Sequence, residues 1–305
     1  MTTHSPAVWL TFVLTIAVLL TVDLALLNRR PHQVAAREAV AWSITIVVVA
    51  MLFGGFLWWE VGHQTALEYY AGYLIELSLS VDNLFVFLLI FHYFDVPALL
   101  QPRVLKWGIF GAMLMRGVMI VAGTLLLKRF DWIVYVFGGI LLLTGLRMFK
   151  GGEVRVEPQR NPLVRLARRL FPVTDGYEGS HFLIRRGATW LATPLLLVVL
   201  VVEWSDLVFA IDSIPAVFAV TRDPFVVYSS NLFAILGLRA LYFLLAGAME
   251  RFEYLKPGVA LILLFVGAKM VTAAWIEIST ALSLGIILLV LTGAVALSLL
   301  PSRRR

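Results

Sequence analysis

The chain has 305 residues, of which 61% are hydrophobic and 14% charged, with a mean hydropathy of +0.91. A soluble domain carries roughly a quarter of its residues as charges, so this chain has too few polar side chains to clothe a soluble core, and a polytopic membrane protein is expected. It has a formal charge of +6 and no cysteine, which excludes disulfides, thiolate metal sites and thiol nucleophiles.

A helix needs roughly 20 apolar residues to cross a bilayer. Nine stretches meet that length, near residues 7–27, 39–58, 67–94, 104–127, 131–149, 189–219, 225–248, 258–275 and 280–300. The first has no basic residue before it and is followed directly by Arg29 and Arg30. It is read as a retained span rather than a signal peptide. The fold class expected is therefore all-α, with nine transmembrane helices forming a single transmembrane transporter domain over 1–305.

The basic residues set an orientation. Eighteen of the 25 Lys and Arg residues lie in the first, third, fifth and seventh connections or in the C-terminal tail. The opposite connections hold Lys128, Arg129 and Arg222, and the spans themselves hold Arg116, Arg147, Arg239 and Lys269. Basic loops stay in the cytoplasm, so the N-terminus is expected outside and the C-terminus inside. The fifth connection, 150–188, is long, polar and rich in proline. Within it Leu163, Leu166, Ala167 and Leu170 fall at helical spacing, with Arg165, Arg168 and Arg169 off that stripe. Two readings stand open here: an amphipathic helix on the inner leaflet, or a solvated loop.

The third and sixth spans contain matching motifs, ELSLSVDN (76–83) and DLVFAIDS (206–213). The likeness continues in order. Phe110 and Arg116 of the fourth span match Phe233 and Arg239 of the seventh; TGLRM (144–148) of the fifth matches VGAKM (266–270) of the eighth. Three spans thus repeat as spans 3–5 and 6–8, and an odd-numbered repeat must invert in the membrane. Inverted repeats with a site between them are a transporter architecture.

Carboxylates inside spans are expensive and mark function. Glu76 and Asp82 lie in the third span; Glu203, Asp206 and Asp212 lie in the sixth. At about 100° per residue, Glu76, Ser80 and Asn83 share one stripe, as do Glu203, Asp206 and Ser213. Asp82 and Asp212 point about 120° away, so either both helix faces are used or the helices are distorted. Pro215 leaves the Ile211 carbonyl without a backbone donor next to Asp212. Carboxylate, amide, hydroxyl and carbonyl oxygens form a hard-cation set, suited to magnesium, calcium or manganese. The five histidines lie at span ends or in loops, away from any zinc-type site. The alternative is that the acids only pair with Arg116, Arg147, Arg239 and Lys269 to hold helices together. Asp23, beside Arg29 and Arg30, is expected to be interfacial rather than a ligand.

The segments 73–87, 202–221, 231–247 and 130–145 resemble the TerC family of integral membrane proteins, most closely its Alx-type members. The likeness runs from about residue 9 to residue 300. It implies an inner-membrane protein of a cation-exporter superfamily that moves manganese(II) out of the cytoplasm. Glu76, Asp82 and Asn83 match the first family motif; Glu203, Asp206, Asp212 and Ser213 match the second. The expectation is a secondary transporter and no enzyme. Mn2+ is its transported substrate, proton exchange its candidate coupling, and it has no tightly bound cofactor and no nucleic-acid partner. A rival reading is a membrane scaffold that assists insertion or metalation of other proteins. An intramembrane aspartyl protease would need a G-x-G-D context, whereas the contexts here are S-V-D-N and A-I-D-S.

Overall fold

The structure is a computed structural model that describes residues 4–28, 36–130, 132–149, 161–187, 189–245, 254–276 and 278–299. It is predominantly helical. In chain order come α1 (Pro6–Asn28), α2 (Ala36–Glu60), α3 (His63–Tyr93), α4 (Gln101–Arg129) and α5 (Ile133–Phe149). A short helix, α6 (Pro162–Leu170), and two strands, β1 (Leu183–Arg186) and β2 (Thr189–Ala192), interrupt the series. It resumes with α7 (Pro194–Phe218), α8 (Pro224–Leu245), α9 (Leu255–Val271) and α10 (Thr280–Leu299).

Among the described residues, five helical stretches, 6–23, 37–60, 101–129, 194–218 and 280–298, are long and apolar enough to cross a membrane. Shorter apolar stretches lie in α5, α8 and α9. Large aliphatic side chains face outward along these helices, among them Leu10, Leu14 and Val18 on α1 and Leu282 and Leu289 on α10. On a soluble protein that would be an aggregating surface; against acyl chains it is the natural exterior.

Packing follows a pairwise pattern. The most extensive contact is α5 with α9, then α3 with α8 and α4 with α7, with α3 on α7 and α4 on α8 also in contact. Small residues make the closest of these approaches. A Cβ on Gly267 would lie 2.9 Å from the Gly138 carbonyl oxygen, and one on Gly145 would lie 3.0 Å from that of Ala260. Close backbone approach of this kind is how helices associate where lipid removes the hydrophobic drive.

The expected span 189–219 is corrected at its start. Residues 189–192 form β2, antiparallel to β1, with Arg186 opposite Thr189 and Gly187 at φ +64°. The helix begins at Pro194, where a proline in the first turn loses no hydrogen bond it would have made. The span expected at 258–275 likewise closes at Val271, with Thr272 as its C-cap.

In the long polar connection expected at 150–188, residues 150–160 lie outside the described part. Beyond them α6 forms as the periodicity expects, capped by Asn161, whose side chain accepts from the Leu163 and Val164 amides at 2.9 and 3.3 Å. Val164 and Ala167 are buried, and α6 packs on α7. Leu166 and Leu170 are exposed, as are the three arginines. Tyr177 ties the same region to the end of α3 by donating to the Phe94 carbonyl at 2.7 Å.

Candidate functional site

Arg116 lies near the middle of α4 and is 1% exposed. Its guanidinium gathers side chains from three other helices. Nε and Nη2 donate to the two Asp206 carboxylate oxygens at 3.2 and 3.1 Å, a bidentate clamp on α7. Nη1 donates to Glu76 on α3, to Asn231 on α8 at 3.2 Å and to Ser213 on α7 at 3.4 Å. Asp206 is the central residue of its 25-residue helix. All five of these side chains are buried. One guanidinium thus meets two carboxylates, an amide and a hydroxyl in a region shielded from water.

The cluster is not fully satisfied. Among the described residues, Glu76 Oε2, Ser80 Oγ, Tyr73 OH and Asn231 Nδ2 are buried with no hydrogen-bond partner. Tyr73, Glu76, Ser80 and the buried Asn83 fall at spacings of three, four and three along α3, so they form one stripe. Buried polar atoms are nearly always paired, and a concentration of unpaired ones on one stripe sets this place apart from the rest of the interior.

Glu203 stands one turn from Asp206 but does not join the guanidinium. Its carboxylate fills the space that a side chain would need at Gly111 of α4, where any Cβ would collide with it. Its Oε2 is also buried and unpartnered. A pocket opens beside the cluster, walled by Gly108, Ile109 and Ala112 of α4 and by Phe87, Val202, Ile235 and Leu238. Asp206 is the ionisable residue in that wall. Gly108 and Ala112 lie on the same face of α4 as Arg116, two turns and one turn away.

Asp212 takes a different neighbour. Its Oδ1 accepts from the Thr144 hydroxyl of α5 at 2.9 Å. With Asp206 turned to α4 and Asp212 to α5, α7 uses both faces, and the helix continues through Pro215. Of the other expected charge partners, Lys269 donates to Ser283 on α10 at 2.9 Å. The side chains of Asp82 and Arg239 lie outside the described residues. Asp23 is buried on α1. Among the described residues, no three His, Asp or Glu side chains converge as a ready-made metal cluster; Arg116 occupies the place between Glu76 and Asp206.

A search on carboxylates alone passes over Asn231, Thr144 and Gly111. The first two had a signal. SSN (229–231) is a polar triplet inside an apolar helix, and Thr144 opens the TGLRM motif. Gly111 had none, because its role exists only once α4 and α7 are packed.

Residues 61–305 match the integral membrane protein TerC family. A chain from Myxococcus xanthus, named "Uncharacterized membrane protein STKORF319", is 46% identical over 299 residues, covering 98% of this chain and 94% of that one. A Salmonella typhi protein named "Putative membrane-bound redox modulator Alx" is 47% identical over 300 residues, covering 95% and 93%. An "Uncharacterized membrane protein" of Rickettsia felis is 40% identical over 289 residues, covering 94% and 96%. No solved structure matches the chain. The chain belongs to the TerC family of integral membrane proteins.

Proposed function

We propose that this TerC family member is a secondary transporter that exports a divalent cation, manganese(II), across the bacterial inner membrane in exchange for protons. The observation that carries the reading is the mid-helix cluster of Glu76, Asp206 and Arg116, with spare buried oxygens on the same stripe. Helix gluing accounts for an ion pair. It does not account for unpaired Glu76 Oε2, Ser80 Oγ and Tyr73 OH beside it, since a purely structural pair gains by satisfying every neighbour. Oxygen donors in this number suit a hard cation. Glu76, Asn83, Asp206 and Ser213 would serve the central position; Asp82 and Asp212, each six residues further along its helix, would serve approaches to it from opposite ends.

The inverted repeat belongs to the same proposal. Laying TGLRM over VGAKM puts Gly145 on Gly267 and Gly138 on Ala260. The contact of Gly138 with Gly267 then exchanges into the contact of Ala260 with Gly145, and both occur. Likewise α3–α8 exchanges with α4–α7, and both are extensive. A two-fold relation within the membrane plane has this consequence and supports nine spans with the N-terminus outside and the C-terminus in the cytoplasm. Moving two charges outward against 100 mV costs about 4.6 kcal/mol, and a tenfold gradient adds about 1.4 kcal/mol. Carboxylates that give up protons as they take metal supply a coupling route.

The name borne by the Salmonella relative refers to redox modulation. With no cysteine in its 305 residues, this chain has no thiol–disulfide route to such a role, and an effect on redox state would run through its cargo. The experiment is total cell manganese in a strain overproducing the protein, beside Asp206→Asn, Asp82→Ala and Asp212→Ala. Wild type lowers manganese and spares magnesium and calcium; the variants do not. Equal manganese in all four strains at equal expression would overturn the reading in favour of a scaffold.

A further inference from the structure

We infer that Arg116 is a tethered stand-in for the transported ion: its guanidinium holds the cation position while the site is empty and moves to Glu203 when a divalent ion arrives. The inference deepens the proposed function and rests on it.

The argument begins with what surrounds the guanidinium. Its five acceptors are Asp206 Oδ1 and Oδ2, a Glu76 oxygen, Asn231 Oδ1 and Ser213 Oγ. All are oxygens, brought from three helices to one point, and they are the kind of shell a hard divalent ion takes. The positive group now at their centre belongs to the chain. Two carboxylates could not stay ionised together at this depth without a cation between them, so an exporter that releases its cargo needs a replacement charge. Arg116 provides it.

A stand-in must also have somewhere to go. Glu203 is one turn from Asp206 on α7, its carboxylate lies against α4 at Gly111, and its Oε2 is buried without a partner. No guanidinium nitrogen reaches it in this state; the hydrogen bonds of Arg116 go to Asp206, Glu76, Asn231 and Ser213. Helical side chains lean toward the N-terminus of their helix, which for Arg116 is the direction of Gly111 and of the pocket over Gly108 and Ala112. Glu203 is three residues, about 4.5 Å of helix rise, from the acid that the guanidinium now clamps, on the side toward which the Arg116 side chain leans. With the ion bound, three carboxylates face a divalent ion and one guanidinium, and the charges balance. The repeat itself points the same way. Aligning the two acidic motifs sets Tyr73 opposite Glu203, so the acceptor exists in one half only, on the side where Arg116 needs it.

The test uses full-length protein in detergent: wild type, Arg116→Gln, Arg116→Lys and Glu203→Gln. Mn2+ affinity is read by equilibrium dialysis, and thermal stability is read with and without Mn2+. A competitor that occupies the site nine-tenths of the time weakens apparent affinity about tenfold. Arg116→Gln is therefore expected to bind Mn2+ about tenfold more tightly than wild type. Its Tm, low without metal because two carboxylates are left unpaired, should recover on Mn2+ by much more than the wild-type Tm rises. Arg116→Lys keeps a mobile charge and stays near wild type, whereas Glu203→Gln weakens binding because the displaced guanidinium loses its acceptor. If wild type binds Mn2+ and Arg116→Gln binds it no more tightly, with no added rescue of Tm, Arg116 is a fixed structural pair and the inference falls alone. If no variant binds a divalent ion, the inference falls together with the transport reading.

Discussion

Gly138 on α5 and Gly267 on α9 meet backbone to backbone: a Cβ on either would stand within 3.0 Å of the other's carbonyl oxygen. No side chain can be rotated away to relieve such a contact. Gly138→Ala or Gly267→Ala is expected to lower stability by about 1–3 kcal/mol through overpacking. Gly139→Ala, next to it but with open space around the new methyl, is expected to leave Tm unchanged or raise it slightly. Thermal unfolding of the three purified variants decides this, and equal losses at 138 and 139 would refute the close crossing.

Gly111 and Glu203 make a second coupled pair. Gly111→Ala should push aside the Glu203 carboxylate, the far end of a flexible side chain, and so cost less stability than Gly138→Ala, where backbone stands in the way. Glu203→Ala in the same chain empties the space beside Gly111, so the double variant should regain stability, with a coupling of about 0.5–3 kcal/mol. Strictly additive Tm changes would mean that the two residues do not share the space.

Thr144 gives Asp212 its hydroxyl donor at 2.9 Å. Hydrogen bonds to charged groups contribute about 1.5–3 kcal/mol. On the proposed function, Thr144→Val, similar in volume, should reduce manganese export while keeping expression, and Asp212→Asn should abolish it. Full export by Thr144→Val would place Asp212 outside the ion path.

Outside the helices that carry the site, Tyr177 donates to the Phe94 carbonyl, and burial, with Asp95 nearby, pushes its hydroxyl up to about 12. A raised value means that the folded state favours the neutral phenol, so its stabilising effect is complete below pH 10 and is lost as pH rises toward 12. The protection of amides in residues 171–182, taken as the observed exchange rate relative to the base-catalysed rate of an open chain at the same pH, should therefore fall over pH 10 to 12. Tyr177→Phe should show lower protection already at neutral pH, reflecting the loss of about 0.5–1.5 kcal/mol, and no further fall in protection in that window.

Much of the layout was legible because lipid simplifies the code. A span must be apolar and continuous, so its place is written in hydropathy, and a carboxylate inside it stands out. Glu76, Asp206 and Arg116 could each be picked from the sequence for that reason. Their meeting could not, since it depends on the crossing of α3, α4 and α7. What hid from a linear reading was local. Thr189–Ala192 are apolar enough to extend a span, yet pairing with Leu183–Arg186 places them in a sheet. Asn231 is neutral, so no charge marks it in its span, and its part in the cluster exists only through the crossing that sets it beside Arg116.

The β1–β2 hairpin acts as a stop for α7. The chain enters as a strand and turns into helix at Pro194, so the helix has no way to grow backwards. Twelve residues on, at about 1.5 Å each, Asp206 lies roughly 18 Å below that stop, a little past half of a hydrocarbon layer about 30 Å thick. The depth of the carboxylate is thus measured from a fixed ledge rather than from the bilayer. Residues added before β1 would lengthen the connection and leave that depth untouched. One residue added between Pro194 and Glu203 would sink the acids by about 1.5 Å and turn them through about 100°, taking Asp206 away from Arg116 to the half-buried place now held by Leu207.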